Sequence, residues 1–145
     1  MTKIDKEVIK RIFKDVYEAL DEVKDIVSLS EDDFIKNRRA RFSLRYCIVV
    51  IIESLADLAV AILEKDFDES IETYREAFTK FAEKNIIDAD TMQSMIKLVS
   101  LRNIIVHRYW IVDDLKIYKS AKENGIKSIE KFIEKVLSYV KIKDP

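Results

Sequence analysis

The only proline of this chain is its last residue, and Gly125 is its only glycine. A sequence so poor in turn formers, and so rich in Lys, Glu, Ile and Leu, reads as mostly helix. Its 145 residues suit one domain, residues 1–145, and 48% apolar content is enough for a real core.

The apolar periodicity places the helices. Ile4, Val8, Ile12, Val16, Leu20, Val23 and Val27 recur every three or four residues, which predicts an amphipathic helix ending near Ser28. Ser30 with Asp33 offers a start signal for a second helix. That helix is expected to run on to about residue 65, charged in its first half and apolar nearly all round in its second. "DFDES" is the expected break. A third helix is expected over 71–84, with Ile71, Tyr74, Phe78 and Phe81 on one face. A fourth follows a cap at Asp90 with Gln93 and continues through Ile111. Residues 113–125 read as a shorter helix or turn stopped at Asn124–Gly125. A last helix carries Ile126, Ile129, Phe132, Ile133, Val136, Leu137 and Val140. Short connections favour an all-α, up-and-down bundle of four to five helices.

Charge and cysteine use exclude some classes. Net charge is −1, so no global field draws the protein to nucleic acid or membrane. The single Cys47 lies in an apolar run and cannot form an internal disulfide, which fits a cytoplasmic location. The N-terminal stretch has no apolar signal region. The longest apolar stretch, residues 47–63, is interrupted by Glu53 and Asp57, which argues against a membrane span.

The chemistry gathers in "RNIIVHRYW", residues 102–110, with the only His and the only Trp. On a helical wheel at about 100° per residue, Leu98, Leu101, Ile104, Ile105 and Val112 form a core-facing stripe. Ser100, Asn103 and His107 share one strip away from it, and Arg102 and Tyr109 share the next. This placement holds if the helix stays regular through Tyr109. Val99, Val106 and Trp110 fall on the same non-core side. A lone His is usually a packing or surface residue. Here it stands with Arg, Asn, Tyr and Trp on a face that suggests a second subunit or a ligand. An imidazole exchanges protons near neutral pH. A guanidinium holds a phosphate by a two-pronged hydrogen bond. Together they are the minimum kit for metal-free phosphodiester cleavage. Cleavage through a 2′-hydroxyl works best with both a base and an acid, and one chain supplies one imidazole. A two-fold homodimer would supply the second.

These residues match a known pattern. Arg102, four residues, His107, one residue, Tyr109 resembles the RX4HXY motif of the HepT-type (DUF86-like) HEPN family, the toxins of type VII HEPN/MNT toxin–antitoxin pairs. The late position of the motif in a small helical chain, with "LRN" before it, agrees. The resemblance implies a HEPN-like helical bundle, a homodimer with motifs facing across a cleft, and metal-independent endoribonuclease activity on RNA. It implies catalytic roles for Arg102 and His107 and a supporting role for Asn103. Tyr109 would accept AMP from a nucleotidyltransferase (MNT) antitoxin, a bulky anion that would fill the cleft and repel RNA. No metal-ligand cluster or Gly-rich phosphate loop is present, so no metal or cofactor is expected and the chain is not itself the nucleotidyltransferase. Non-catalytic members leave an alternative: a helical adaptor or nucleotide-binding subunit of a nucleotidyltransferase complex.

Two further signals have several readings each. Arg38, Arg41 and Arg45, within five positive charges over residues 36–45, share one helix face. They are an RNA contact surface, or a solvated face balanced by the preceding "SEDD"; an acidic partner surface is a third reading. Glu53 and Asp57, carboxylates in an apolar helix, pair with Arg102 or Arg45, sit at the dimer cleft, or mark the helix's exposed edge. Tyr46, Tyr74 and Tyr118 read as core-edge residues.

Overall fold

Capping residues set out the helices of the computed structural model, which describes residues 2–143. Helix α1, Lys6–Val27, starts where the Asp5 carboxylate accepts from Glu7 N–H. Helix α2, Glu31–Lys36, is capped by Ser30 through Asp33 N–H. Helix α3, Arg38–Phe67, is capped by Asn37 through Ala40 N–H. Thr73 caps α4, Tyr74–Glu83. Asp88 caps α5, Ala89–His107, and Asp113 caps α6, Asp114–Ser120. A π-helical turn, Ala121–Gly125, carries α6 directly into α7, Ile126–Lys143. Among the described residues there is no strand.

The fold is the expected all-α, up-and-down bundle, with several boundaries corrected. The second helix is not continuous, because Asn37 leaves helical backbone and caps a new one. The third begins at Tyr74, since Thr73 adopts extended backbone (φ −133°, ψ 157°). The cap of α5 is Asp88, two residues before the expected Asp90. The helix ends at His107 and not at Ile111. The aromatic and β-branched run after it has weak helix propensity, and Asp113 already caps the next helix. Gly125 stops nothing. It sits at negative φ within the π turn, where a Cβ would lie 3.3 Å from the Ser120 carbonyl oxygen, tighter than most Cβ contacts.

Helix α3 is the hub, packing against α1, α2, α4, α5 and α6. Ile51, Ile52, Leu55, Ala56, Ala59 and Ile62 are fully buried along it. By length and composition alone it could cross a membrane, but over half of its most apolar window is buried inside this chain. Phe132 of α7 meets Phe78 edge-on and stacks on Phe81, joining α4 to α7. Phe34 of α2 stacks on Tyr118 of α6, whose hydroxyl donates to the Leu29 carbonyl. Tyr118 is thus a core residue and not an edge one. Tyr46 departs the other way and is exposed. Cys47 is buried, and burial pushes its thiol pKa up.

Candidate active site

The end of α5 presents one half of the motif to the protein and the other half to solvent. Arg102 turns toward α3, its side chain only 17% exposed. Its Nε and Nη2 donate to Glu53 Oε2 at 3.1 and 3.0 Å, and its Nη1 donates to Asn103 Oδ1 at 2.8 Å. The guanidinium carbon lies 5.2 Å from the centre of the Tyr74 ring. Of the five N–H groups of a guanidinium, three are engaged here and two remain for an anion.

A second layer steadies this arrangement. Tyr74 O–H donates to Asp57 Oδ1 at 2.8 Å. Burial first, and then the bond to Asp57, pushes the Tyr74 phenol up to about 12. Arg75 Nη2 donates to Ser100 Oγ at 2.9 Å, tying α4 to α5. Of the readings for Glu53, the structure realises the pair with Arg102. Asp57, one turn on, takes Tyr74 and neither arginine. Tyr74 and Arg75 have no pattern that ties them to the motif, because the cluster draws on three helices distant in sequence.

His107 is the last residue of α5 and is exposed. Five residues along a helix amount to about 7.5 Å of rise and about 140° of turn, so Arg102 and His107 diverge within one chain. Beyond His107 the wheel fails, because the backbone leaves the helix at Arg108 (φ −137°, ψ 43°). Tyr109 therefore does not share a strip with Arg102. It opens a 3₁₀ turn, Tyr109–Ile111, is 66% exposed, and packs edge-on against Trp110, itself 69% exposed. Val106 and Trp110 lie off the core as expected, but Val99 is buried. Val106, Tyr109, Trp110 and Ile111, which flank His107 in sequence, are all exposed.

The basic face is engaged differently from either simple reading. Arg45 makes a two-pronged pair with Asp114, both distances 2.7 Å, and Arg41 Nε lies 3.4 Å from the same carboxylate. The bond to Asp114 raises the Arg45 pKa. The balancing acid is Asp114 at the start of α6, not the "SEDD" segment. Arg41 and Arg45 thereby anchor the chain that returns from the motif, and Arg38 is left exposed at the start of α3. Among the described residues no group of three or more His, Cys, Asp or Glu side chains is placed to hold a metal ion.

Comparison with known proteins places this chain in a family. A family model described as HepT-like, Ribonuclease HepT-like, matches residues 16–136. No curated protein matches the sequence. The fold is similar to that of YutE, a cytosolic protein of unknown function from Bacillus subtilis, with a TM-score of 0.82 and 14% identity over 99% of this chain and 96% of that one. It is similar to a tri-AMPylated Shewanella oneidensis HEPN toxin in complex with MNT antitoxin, with a TM-score of 0.81 and 21% identity over 93% and 99% of the two chains. A toxin–antitoxin structure with AMP-PNP gives 0.82 and 20% identity over 91% and 98%. At these identities the likeness concerns the fold.

Proposed function

The chain belongs to the ribonuclease HepT-like family, and from that premise we propose that it is the toxin of a HEPN/MNT toxin–antitoxin pair, a metal-independent endoribonuclease acting as a homodimer in the cytoplasm. The observation that carries this reading is a restrained Arg102 with two free N–H groups, followed five residues later by an exposed, unengaged His107. Because the two diverge on one helix, the site is completed by the same segment of a second copy. The exposed Val106, Trp110 and Ile111 supply apolar surface for that contact.

In this mechanism one His107 takes the proton of an RNA 2′-hydroxyl. The 2′-oxygen attacks the adjacent phosphorus, and the bond from phosphorus to the 5′-oxygen breaks. His107 of the second copy donates a proton to that leaving oxygen. The products are a 2′,3′-cyclic phosphate and a 5′-hydroxyl. Arg102 offsets the charge on the non-bridging oxygens, held in place by Glu53 and Asn103. Arg38 is available to the RNA backbone, with Arg41 and Arg45 beside it.

The partner is a nucleotidyltransferase of the MNT type that adds AMP to Tyr109. The phenol's exposure at the head of the 3₁₀ turn gives such an enzyme access. Adenylate there, two residues from His107, blocks the cleft by bulk and charge. Co-expression with the partner followed by intact-mass analysis tests this: mass gains of AMP units mapping to Tyr109 support it, and an unmodified toxin with an active partner counts against it.

A second reading is a non-catalytic subunit of a nucleotidyltransferase complex. The ion pair of Arg102 with Glu53 favours it, since that carboxylate already neutralises the guanidinium. It predicts a stable complex and no RNA cleavage by the purified chain.

A further inference from the structure

Arg75 of α4 carries a positive charge that the cleavage mechanism does not use. Its Nη2 donates to Ser100 Oγ at 2.9 Å, and that hydroxyl donates onward to the Ile96 carbonyl at 3.3 Å. The partner is neutral. Arg75 is exposed and has no ion pair among the described residues. The carboxylate next to it in sequence, Glu76, turns back to the start of α4 and accepts from Glu72 N–H at 3.2 Å. Of the five N–H groups of the Arg75 guanidinium, one is engaged and four remain.

Ser100 fixes where this charge sits. Helix α5 is unbroken to His107, so Ser100, Asn103 and His107 keep one strip, and none of the three is buried. His107 lies about 10.5 Å along the helix axis from Ser100 and only about 20° around it. The head of Arg75 is therefore on the face that carries His107, two turns before it. Arg102, by contrast, turns to α3, where Glu53 offsets its charge at 3.0 Å. That pair aims N–H groups at a reacting phosphate but adds little net charge to the face. The whole chain carries −1, so attraction for a polyanion has to come from local cations that no carboxylate neutralises. Arg75 is such a cation. Its bond to Ser100 orients the fork in advance, which lowers the entropy lost in holding an anion.

We propose that Arg75 holds a backbone phosphate of the bound RNA strand that flanks the scissile one, two helical turns from His107. The substrate comes from the reading of this chain as a ribonuclease; the place comes from the bond between Arg75 and Ser100. At two turns Arg75 is too far from His107 to act on the same phosphorus. It contributes binding and register and no chemistry. A contact to phosphate positions the strand without selecting bases.

The test measures the affinity of the purified chain for a single-stranded 2′-O-methyl oligoribonucleotide, which lacks the attacking hydroxyl, between about 50 and 200 mM salt. Arg75→Ala should weaken binding about fivefold to tenfold at the low end, equally for U-rich and A-rich strands. It should also lower the slope of log affinity against log salt by about 0.7, the value of one phosphate on a single strand. Arg75→Lys keeps the charge and should keep the slope. Ser100→Ala should keep the slope and lose part of the affinity. With cleavable RNA, Arg75→Ala should raise KM and leave kcat within about twofold, because a flanking phosphate is held alike in the ground and transition states. Its thermal stability should match the parent's. An unchanged salt slope in Arg75→Ala, with or without weaker binding, would overturn the proposal and leave cleavage by Arg102 and His107 standing. A shift of Arg75→Ala toward monomer with that slope unchanged would overturn it too, by giving Arg75 a carboxylate of a second copy. A parent that binds the strand but cuts no RNA would overturn the nuclease reading alone, and a parent that binds no strand would overturn both.

Discussion

Arg102 on α5 and Glu53 on α3 meet through two hydrogen bonds to one carboxylate oxygen, 3.1 Å from Nε and 3.0 Å from Nη2. Together with the bond to Asn103, this engages three of the five N–H groups of the guanidinium. Glu53→Ala should release Arg102 and lower RNA cleavage through kcat more than through KM, because Arg102 remains but is no longer held. Glu53→Gln keeps an acceptor and should retain more activity than Glu53→Ala. Urea unfolding of Glu53→Ala should show a loss of about 1–2 kcal/mol, the scale of a charge-assisted bond that is partly exposed. Equal loss in both variants would mean that charge, and not placement, is what Glu53 contributes.

Tyr74 lies beneath that guanidinium, and its phenol is pushed up to about 12. A spectrophotometric titration of the folded protein should contain a phenol ionising near that value, absent in Tyr74→Phe. The neutral phenol is favoured in the folded state. Its contribution to stability is therefore complete below the ordinary tyrosine pKa of about 10 and declines as pH rises from there toward about 12. Tyr74→Phe should flatten that decline.

Asp88 behaves in the opposite sense. It accepts from the Thr91 backbone N–H and pairs with Lys131, and these hold its carboxyl well below the usual carboxylate range. The ionised form is favoured in the folded state. Its stabilising contribution is present above about pH 4 and lost as pH falls toward the depressed folded value. Asp88→Asn keeps the cap but not the charge. Acid titration of thermal stability should show a shallower loss below about pH 4 in Asp88→Asn than in the parent. The same slope in both would place the acid sensitivity elsewhere.

Asp68 ends α3 in left-handed backbone, φ 53° and ψ 35°. A side chain there costs about 1–2 kcal/mol relative to right-handed helix, and glycine removes that cost at this terminus. Asp68→Gly should raise stability by about 0.5–1 kcal/mol in urea unfolding, less than the full strain because glycine also frees the unfolded chain. A destabilised variant would show that the Asp68 side chain has a role the cap geometry does not explain.

The helices were readable because the apolar stripes of α1 and α7 repeat cleanly and nothing but Gly125 interrupts the chain chemically. Gly125 misled for that reason: it looks like a stop, but here it supplies space inside a π turn. The break at Asn37 was hidden because Asn caps as well as it continues, and only tertiary packing of Phe34 on Tyr118 decides between them. At the site, the carboxylates in the apolar stretch of α3 allowed either a cation partner or an exposed edge, and in the structure Glu53 is half-buried while Asp57 is exposed. That Glu53 takes Arg102, while Asp57 takes Tyr74, depends on the packing of three helices and is absent from local spacing. The wheel located Arg102 and His107 correctly as divergent but misplaced Tyr109, since periodicity cannot see where a helix ends.

The most direct measurement of the central claim is RNA cleavage by the purified chain in a chelator, parent against His107→Ala. His107 is exposed, so its removal should leave stability within about 0.5 kcal/mol. The account predicts cleavage by the parent without divalent metal, leaving 2′,3′-cyclic phosphate ends, and a rate at least about 100-fold lower for His107→Ala. Cleavage by His107→Ala at the parental rate would contradict it.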